Sequence, residues 1–277
     1  MNSIPLALAG SLSWGISDFI GGHASKRRST LAVLALSRPV GLAVVGLVSV
    51  LTASTHFDGR TLLGMLSGPA AFAALYALYR ALAIGPMGVV SPIAVVPVLW
   101  GTVIGQSLAG LTYLGLGGTL VGVMLASASE GLDGQRPGRQ VLVWSFFCMV
   151  MFGICMILLA EAGRYHPVEA VVVSRATEVV LILILGALSW NNLRENLRPP
   201  FGVVPFAGVL DTSAMLLFAY AAGHGSLAVA AVLSSLYPVV TVLIARLVLH
   251  ERLSRVQQTG AVLTLVCVAV VVFSAAR

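Results

Sequence analysis

The stretch from Ser226 to Val272 decides the fold class, and it reads SLAVAAVLSSLYPVVTVLIARLVLHERLSRVQQTGAVLTLVCVAVVV. Two long apolar runs flank one short charged island, His250-Glu251-Arg252 with Arg255. A membrane-spanning helix needs about 20 largely apolar residues, and each run has that length. The stretch therefore predicts two spanning helices joined by a short charged turn.

A fainter copy of this pattern lies earlier in the chain. Residues Met87–Gly105 read MGVVSPIAVVPVLWGTVIG, and Leu114–Leu125 read LGLGGTLVGVML. Pro97 occupies the place that Pro238 has in the later copy. A pattern repeated within one apolar chain indicates an internal repeat, and such repeats are typical of membrane carriers.

The composition independently indicates an integral membrane protein. Hydrophobic residues make up 58% of the 277 residues and charged residues only 9%, and the mean hydropathy is +0.99. Soluble domains carry roughly 25% charged residues, so this chain has too little polar surface to cover a soluble fold. A bilayer removes that difficulty because the outer face of the protein can then be apolar.

The net charge of +6 comes from basic residues that stand singly or in short clusters beside the apolar runs. Such residues set membrane topology and contact lipid headgroups, and we find no nucleic-acid motif. Cys148, Cys155 and Cys267 lie inside apolar runs without a Cys-x-x-Cys spacing, so we interpret them as small buried side chains. No cofactor or metal site is expected.

The chain divides into ten predicted spans, which makes it an all-α membrane protein. We assign residues 1–129 to a first five-helix repeat, 130–140 to a linker and 141–277 to a second five-helix repeat. The linker is rich in glycine, proline and charge. The spans are Pro5–Gly22, Leu31–Ala53, Leu62–Ile84, Gly88–Leu108, Tyr113–Ser127, Val141–Ala160, Val168–Trp190, Val203–Gly223, Leu227–Leu249 and Val256–Ala275.

The two halves align at an offset of roughly 140 residues, as expected for duplicated five-helix units. Five is an odd number, so the second unit must enter the membrane from the opposite side, which makes an inverted repeat. The matching pairs are Trp14-Gly15-Ile16 with Phe152-Gly153-Ile154, Ser37-Arg38 with Ser174-Arg175, and Tyr79 with Tyr220, the tyrosines preceding Pro97 and Pro238 by the same 18 residues.

These residues resemble the drug/metabolite transporter superfamily, in its EamA-like branch of paired five-helix domains. The first half departs from the pattern, because Ala109-Gly110 stands where a Glu-Arg pair would fall. The motifs that carry the resemblance are Trp14-Gly15, Ser37-Arg38, Ala81-Leu82, Leu233-Ser-Ser-Leu-Tyr-Pro238, Glu251-Arg252-Leu253 and Gly260-Ala261.

The resemblance implies a ten-helix carrier of small metabolites or drugs, often an exporter, driven by an ion gradient or by exchange. It also implies that both termini lie in the cytoplasm. The positive-inside rule points the other way, because the connectors after spans one, five, seven and nine carry most of the basic residues. Both orientations stay open at this stage.

Ionisable side chains inside spanning helices are costly and usually face a partner or a wet cavity. Arg175 and Glu178 are three residues apart, so they share a helix face and form either an internal ion pair or a substrate site. Arg38 is the repeat mate of Arg175. Asp211 has no charged neighbour within a helical turn, so we interpret it either as an unpaired acid that carries a proton or as a neutral or hydrogen-bonded acid that holds helices together. Asp18 lies nearer a helix end.

Aromatic and small polar residues complete the candidate site. Aromatic rings can stack on a substrate or simply pack, and prolines inside helices can act as hinges or be tolerated kinks. The predicted substrate-binding residues are Trp14, Arg38, Tyr79, Arg175, Glu178, Tyr220, Ser234 and Tyr237. The predicted coupling residues are Asp211, Glu178 and Asp18, and the predicted gating residues are Pro97 and Pro238.

These features favour a secondary active transporter of small molecules in the plasma membrane, working by alternating access with proton coupling or exchange, as a monomer or homodimer. The alternatives are an intramembrane enzyme and a channel-like membrane protein. The sequence contains no HExxH, GxSxG or GxxxxGK[ST] motif, so it gives no indication of an enzyme.

Overall fold

The computed structural model describes residues 3–54, 56–85, 90, 110–127, 138–225, 230, 233–234 and 236–249, with scattered positions between 255 and 270. The regular elements of this part of the chain are all helical. They are α1 Ser3–Ser25, α2 Thr30–Leu51, a 3-10 turn Thr61–Leu63, α3 Gly64–Ile84, α4 Gly110–Ser127, α5 Arg139–Ala162, α6 Pro167–Leu188, α7 Trp190–Asn196, α8 Val204–Gly223 and α9 Tyr237–Leu249.

Six of the described helices are long and apolar enough to cross a membrane. They correspond to the first three and the sixth to eighth predicted spans, so the all-α membrane fold class is confirmed. The fourth span, Gly88–Leu108, and the tenth, Val256–Ala275, lie largely outside the described residues, as does most of the 130–140 linker. The short amphipathic helix α7, in the connector after α6, is an element that the hydropathy pattern did not predict.

The outer surface of the long helices is largely apolar, and several ionic side chains are buried in the interior. Leu188 is 81% exposed and Val50 is 77% exposed, whereas Arg38 and Glu178 are completely buried. Water would make this arrangement unfavourable, but a lipid environment reverses the preference of the outer face. The distribution is therefore that of a chain embedded in a bilayer.

Helices of one predicted half pack on helices of the other half, and the contacts are reciprocal. Helix α1 packs on α8, and its predicted counterpart α5 packs on α3, the counterpart of α8. Likewise α2 packs on α8 while α6 packs on α3, and α2 and α6 contact each other. These reciprocal contacts support the predicted duplication, whose residue boundaries remain a prediction.

Two glycines allow the helices of this core to approach closely. A Cβ added to Gly208 of α8 would overlap the carbonyl oxygen of Ser37 in α2. A Cβ added to Gly68 of α3 would overlap the carbonyl oxygen of Ser174 in α6. Ser37 and Ser174 are repeat mates, so the same close approach occurs twice, each time one residue before a buried arginine.

The Gly118 and Gly122 pair of α4 also serves packing within the chain. A Cβ on Gly118 would overlap the sulfur of Cys267, and a Cβ on Gly122 would lie 2.6 Å from the backbone nitrogen of Thr264. This spacing of two glycines permits close contact between helices. The contact places α4 against residues of the tenth predicted span.

The connectors gather at two ends of the assembly. At one end, Arg28 donates hydrogen bonds to the carbonyl oxygens of Asn196, Arg198 and Pro200, at 2.7, 2.9 and 2.7 Å. At the other end, Arg60 forms an ion pair of 3.0 Å with Glu161. The connectors after the first and seventh predicted spans therefore share one end, as the charge analysis predicted, and we call it the basic end.

We predict that Gly208→Ala destabilises the protein, because the added methyl group must push α8 away from α2. Overpacking of this kind costs about 1–3 kcal/mol. The measurement is the thermal unfolding temperature of the purified protein in detergent. Gly46→Ala in α2 is the matched control, since nothing lies within 4 Å of its added Cβ. Equal unfolding temperatures for the two variants would contradict the close approach.

Candidate functional site

Four buried ionic side chains from three helices meet at the centre of the assembly. Arg38 of α2 and Arg175 of α6 both donate to Oδ2 of Asp211 in α8. Arg175 also donates to Oε2 of Glu178 one turn further along α6, as their three-residue spacing predicted. Nε of Arg38 lies 3.9 Å from Oε1 of Glu178. We call these four residues the ionic network.

The ionic network is neutral as a whole but incompletely hydrogen-bonded. Its two arginines balance its two carboxylates, which is what burial in an apolar surrounding requires. Nη2 of Arg38, Nε of Arg175 and Oε1 of Glu178 are nevertheless buried without a hydrogen-bond partner among the described residues. Buried polar groups are normally satisfied, so these atoms are suited to bind water or a polar ligand.

Of the two interpretations of Asp211, the structure fits a hydrogen-bonded acid that holds helices together and not an unpaired acid. The sequence showed no charged neighbour within a turn of α8. The partners are Arg38 of α2 and Arg175 of α6, which lie 173 and 36 residues from Asp211 along the chain. A single carboxylate oxygen thus joins the predicted first half to the second half. The repeat mates Arg38 and Arg175 both bind this oxygen. The internal symmetry made the two arginines equivalent, but it did not identify the acid that they share.

Asp18 lies beside the ionic network. Its position in the sequence had suggested a helix end, but the structure places it in the interior of α1. It is 3% exposed and lies within α1, which continues for two more turns to Ser25. Asp18 is close enough to Asp211 and Arg38 to interact with both electrostatically. Its Oδ1 has no hydrogen-bond partner among the described residues. Together with the ionic network it makes three carboxylates to two arginines.

An aromatic cluster packs close to the ionic network. The ring centroid of Trp14 lies 6.4 Å from Phe152, 5.9 Å from Phe218 and 6.4 Å from Tyr237. Phe152 and Tyr237 stack at 6.3 Å. Edge and offset contacts at these distances are favourable for aromatic rings. The cluster joins α1, α5, α8 and α9.

A narrow cavity is lined by members of both the aromatic cluster and the ionic network. Its volume is about 10 Å³, which is room for no more than one water molecule. Trp14 and Phe152 line it together with Arg175 and Asp211. A metabolite can enter only if the surrounding helices separate. The remaining lining residues are Ala71, Ala74, Leu75, Cys155, Met156 and Met215.

The structure groups some of the other predicted site residues with the cavity and leaves others apart. Tyr79 is completely buried against Gly21 of α1. Ser234 is buried and its hydroxyl has no partner among the described residues. Tyr220 lies more than two turns beyond Asp211 in α8 and stacks on His224, so it does not line the cavity.

The two predicted gating prolines are differently placed. Pro238 lies in the first turn of α9, where a missing N–H leaves no intrahelical bond unmade. Pro97 lies outside the described residues. Prolines inside described helices are instead Pro39, next to Arg38 in α2, and Pro69, next to Gly68 in α3. Gating by Pro97 and Pro238 remains a prediction.

Sequence reasoning missed several apolar lining residues. Phe152 is the repeat mate of Trp14, which was a predicted site residue, so the repeat could have been used to predict Phe152 as well. Cys155 and Met215 give no such signal, because they are ordinary apolar residues in apolar helices. Among the described residues, no group of three or more histidine, cysteine or acidic side chains is placed to hold a metal ion.

Comparison with known proteins finds similarity to membrane transporters in the second half of the chain. Residues 139–273 match the EamA-like transporter family, which confirms the predicted resemblance to the drug/metabolite transporter superfamily. The matched region begins at α5 and covers the predicted second repeat.

Two curated relatives are each named an uncharacterized transporter, from two strains of Helicobacter pylori. The first, from strain J99, is 30% identical over 135 residues, which is 44% of this chain and 45% of the relative. The second, from strain 26695, is 31% identical over 119 residues, which is 38% of this chain and 40% of the relative. The matched stretch is thus less than half the length of each relative.

A solved crystal structure shares the fold over the whole chain. Its TM-score is 0.77, and the superposition covers 99% of this chain and 98% of the other at 17% identity. This likeness concerns the fold alone. The shared fold includes the first half of the chain, which contributes Trp14 and Arg38 to the site.

We predict that Asp211→Asn strongly destabilises the protein. The change removes the negative charge that Arg38 and Arg175 share, and breaking a buried ion pair costs about 3–5 kcal/mol. The measurement is thermal unfolding in detergent. Arg60→Ala is the control, because it breaks an ion pair whose side chains are 48% and 45% exposed and which contributes at most about 1 kcal/mol. A loss no larger than that of the control would contradict the role of Asp211.

Proposed function

We propose that this protein is a secondary active transporter that exports small molecules across the plasma membrane by alternating access. The observation that carries the proposal is the cavity between Trp14, Phe152, Arg175 and Asp211, which lies between helices of both predicted halves. The EamA-like match of the second half and the names of the relatives support the same class. No family or relative points to an enzyme.

The lining of the cavity favours a substrate that is partly apolar and carries one charged or strongly polar group. Trp14 and Phe152 offer aromatic rings for stacking, while Arg175 and Asp211 offer guanidinium donors and a carboxylate. This description fits small metabolites and amphipathic drugs. Nε of Arg175 has no hydrogen-bond partner among the described residues, so it is available to donate to such a polar group.

An anionic substrate would have to compete with Asp211 for the arginines. Both guanidinium groups already donate to Oδ2 of Asp211, so a second carboxylate binds well only if that contact loosens. Loosening it would also release the connection between α2 and α8. Substrate binding and separation of the two halves are thereby linked through one contact, which is what an alternating-access carrier needs.

Asp18 is our preferred proton carrier among Asp18, Glu178 and Asp211. The other two acids are neutralised by Arg38 and Arg175, which leaves Asp18 as the surplus carboxylate in the interior. A buried acid without a hydrogen-bonded counter-ion is the one whose charge is most costly, so it gains most from protonation. A proton on Asp18 would also weaken its repulsion of Asp211.

Alternating access predicts that the cavity opens to each side in turn, and native Cys155 reports this without knowledge of the substrate. Cys155 is 2% exposed and lines the cavity. In a protein with Cys148→Ala and Cys267→Ala, we expect a small thiol reagent to modify Cys155 when supplied from either side of the membrane. The measurement is the modified fraction by mass spectrometry of right-side-out and inside-out vesicles.

A triple variant that also carries Cys155→Ala controls for other reactions. Modification of Cys155 from one side only would contradict alternating access and favour a one-sided pocket. Absence of modification from both sides would contradict a carrier altogether.

Proton coupling through Asp18 is tested in proteoliposomes with a panel of radiolabelled amino acids, sugars and cationic drugs. For a transported panel member, we expect Asp18→Asn to keep movement down the substrate gradient and to lose accumulation driven by a pH gradient. The replacement is close in size but cannot exchange a proton.

Asp58→Asn is the matched control. Asp58 is exposed in a connector, and the backbone N–H of Thr61 donates to it at 2.7 Å, which lowers the pKa of this carboxyl. It therefore stays ionised and takes no part in proton movement. Unchanged pH-driven accumulation by Asp18→Asn protein would exclude Asp18 as the carrier.

A further inference from the structure

A second pocket lies at the basic end, away from the central cavity. Its volume is about 560 Å³. The walls come from the last turns of α1, from α7 and from the connector that leads into α8. This pocket shares no lining residue with the central cavity.

The charged lining of this pocket is predominantly positive. Arg27, Arg28 and Arg198 line it against one acid, Glu195, which leaves an excess of two positive charges. Arg28 is occupied by three backbone carbonyls and serves the architecture. Arg27 and Arg198 are exposed, and neither forms an ion pair with any residue that the structure describes. Their guanidinium groups are therefore available to an anion.

Apolar residues also line the pocket, beside the polar side chains of His23 and Asn196. Phe19 and Ile20 of α1 contribute to the pocket, and Phe201 and Val203 border it where α8 begins. Val203 is 63% exposed and Phe201 is 39% exposed. Gly202 between them has a φ of +56°, a conformation that favours glycine and turns the connector at the pocket rim.

We propose that this pocket binds the phosphate headgroup of an anionic phospholipid, with Arg27 and Arg198 on the phosphate and the apolar rim against the acyl chains. A soluble anion would need the arginines but gain nothing from Phe201 and Val203. The pocket lies where spanning helices end, which is the depth of lipid headgroups, and the charge rule puts this end in the cytoplasm. Basic pockets between spanning helices suit such headgroups.

The site has a structural consequence for the two halves. Arg27 belongs to the connector after α1, whereas Arg198 belongs to the connector after α7. A phosphate held by both would join the predicted first and second halves at this end, beside the hydrogen bonds that Arg28 already makes. The inference does not depend on which substrate the central cavity takes.

The test is a titration of the purified full-length protein with short-chain phosphatidylglycerol, followed by native mass spectrometry and thermal unfolding. We expect Arg27→Gln combined with Arg198→Gln to weaken binding at least about tenfold, because each lost arginine near the surface weakens attraction to an anionic lipid several-fold. Phosphatidylcholine should bind both proteins equally weakly.

The matched control is Lys26→Gln combined with Arg194→Gln. It removes the same charge from the connector after α1 and from the last turn of α7, at exposed residues that do not line the pocket. We expect less than a twofold change. Equal weakening by the two double variants would overturn the proposal in favour of general surface attraction.

A second arm separates the two sources of phosphate. Glycerophosphoglycerol carries the same phosphodiester anion without acyl chains, and we expect it to bind at least tenfold more weakly than the lipid. Equal binding of glycerophosphoglycerol, lost in the Arg27 and Arg198 double variant, would overturn the lipid assignment and identify a site for a soluble phosphate. Unfolding temperatures of all variants in phosphatidylcholine confirm that they fold.

Discussion

The shared carboxylate of Asp211 is the contact on which the arrangement of this protein depends. Two arginines cannot be buried in an apolar assembly unless negative charge is supplied at the same place. Asp211 and Glu178 supply it, and the requirement brings α2, α6 and α8 together. The aromatic cluster and the central cavity then follow, because α1 and α5 pack around this group of three helices.

The close helix contacts make this network geometrically possible. Gly208 lets the backbone of α2 come against α8 at Ser37, and Gly68 does the same for α3 and α6 at Ser174. Each contact fixes the depth of the arginine that follows in sequence. Side-chain hydrogen bonds to backbone reinforce the fit, since Ser17 donates to Ala207 at 2.9 Å and Thr241 donates to Gly15 at 3.0 Å. Small residues and serine or threonine are the usual means of packing helices in lipid.

Much of the fold could be predicted from the sequence, and less of the site. The lengths of the apolar runs predicted the described spanning helices closely, because the bilayer sets helix length. The match of Ser37-Arg38 with Ser174-Arg175 made Arg38 and Arg175 equivalent, and both bind Asp211 in the structure. The partners of Asp211 could not be predicted, since proximity along α8 says nothing about proximity across helices. Cys155 and Met215 were missed because an apolar side chain that lines a cavity looks like one that faces lipid.

The ends of the molecule are chemically unlike, although the halves are related by duplication. At the basic end Arg28 holds three backbone carbonyls of the second half, whereas at the opposite end Arg60 holds one solvent-exposed carboxylate. Charge-assisted bonds to backbone cost more to break than an exposed ion pair. In the alternating-access cycle that we propose, the forms open at the two ends would therefore differ in free energy, and the empty protein would favour one of them.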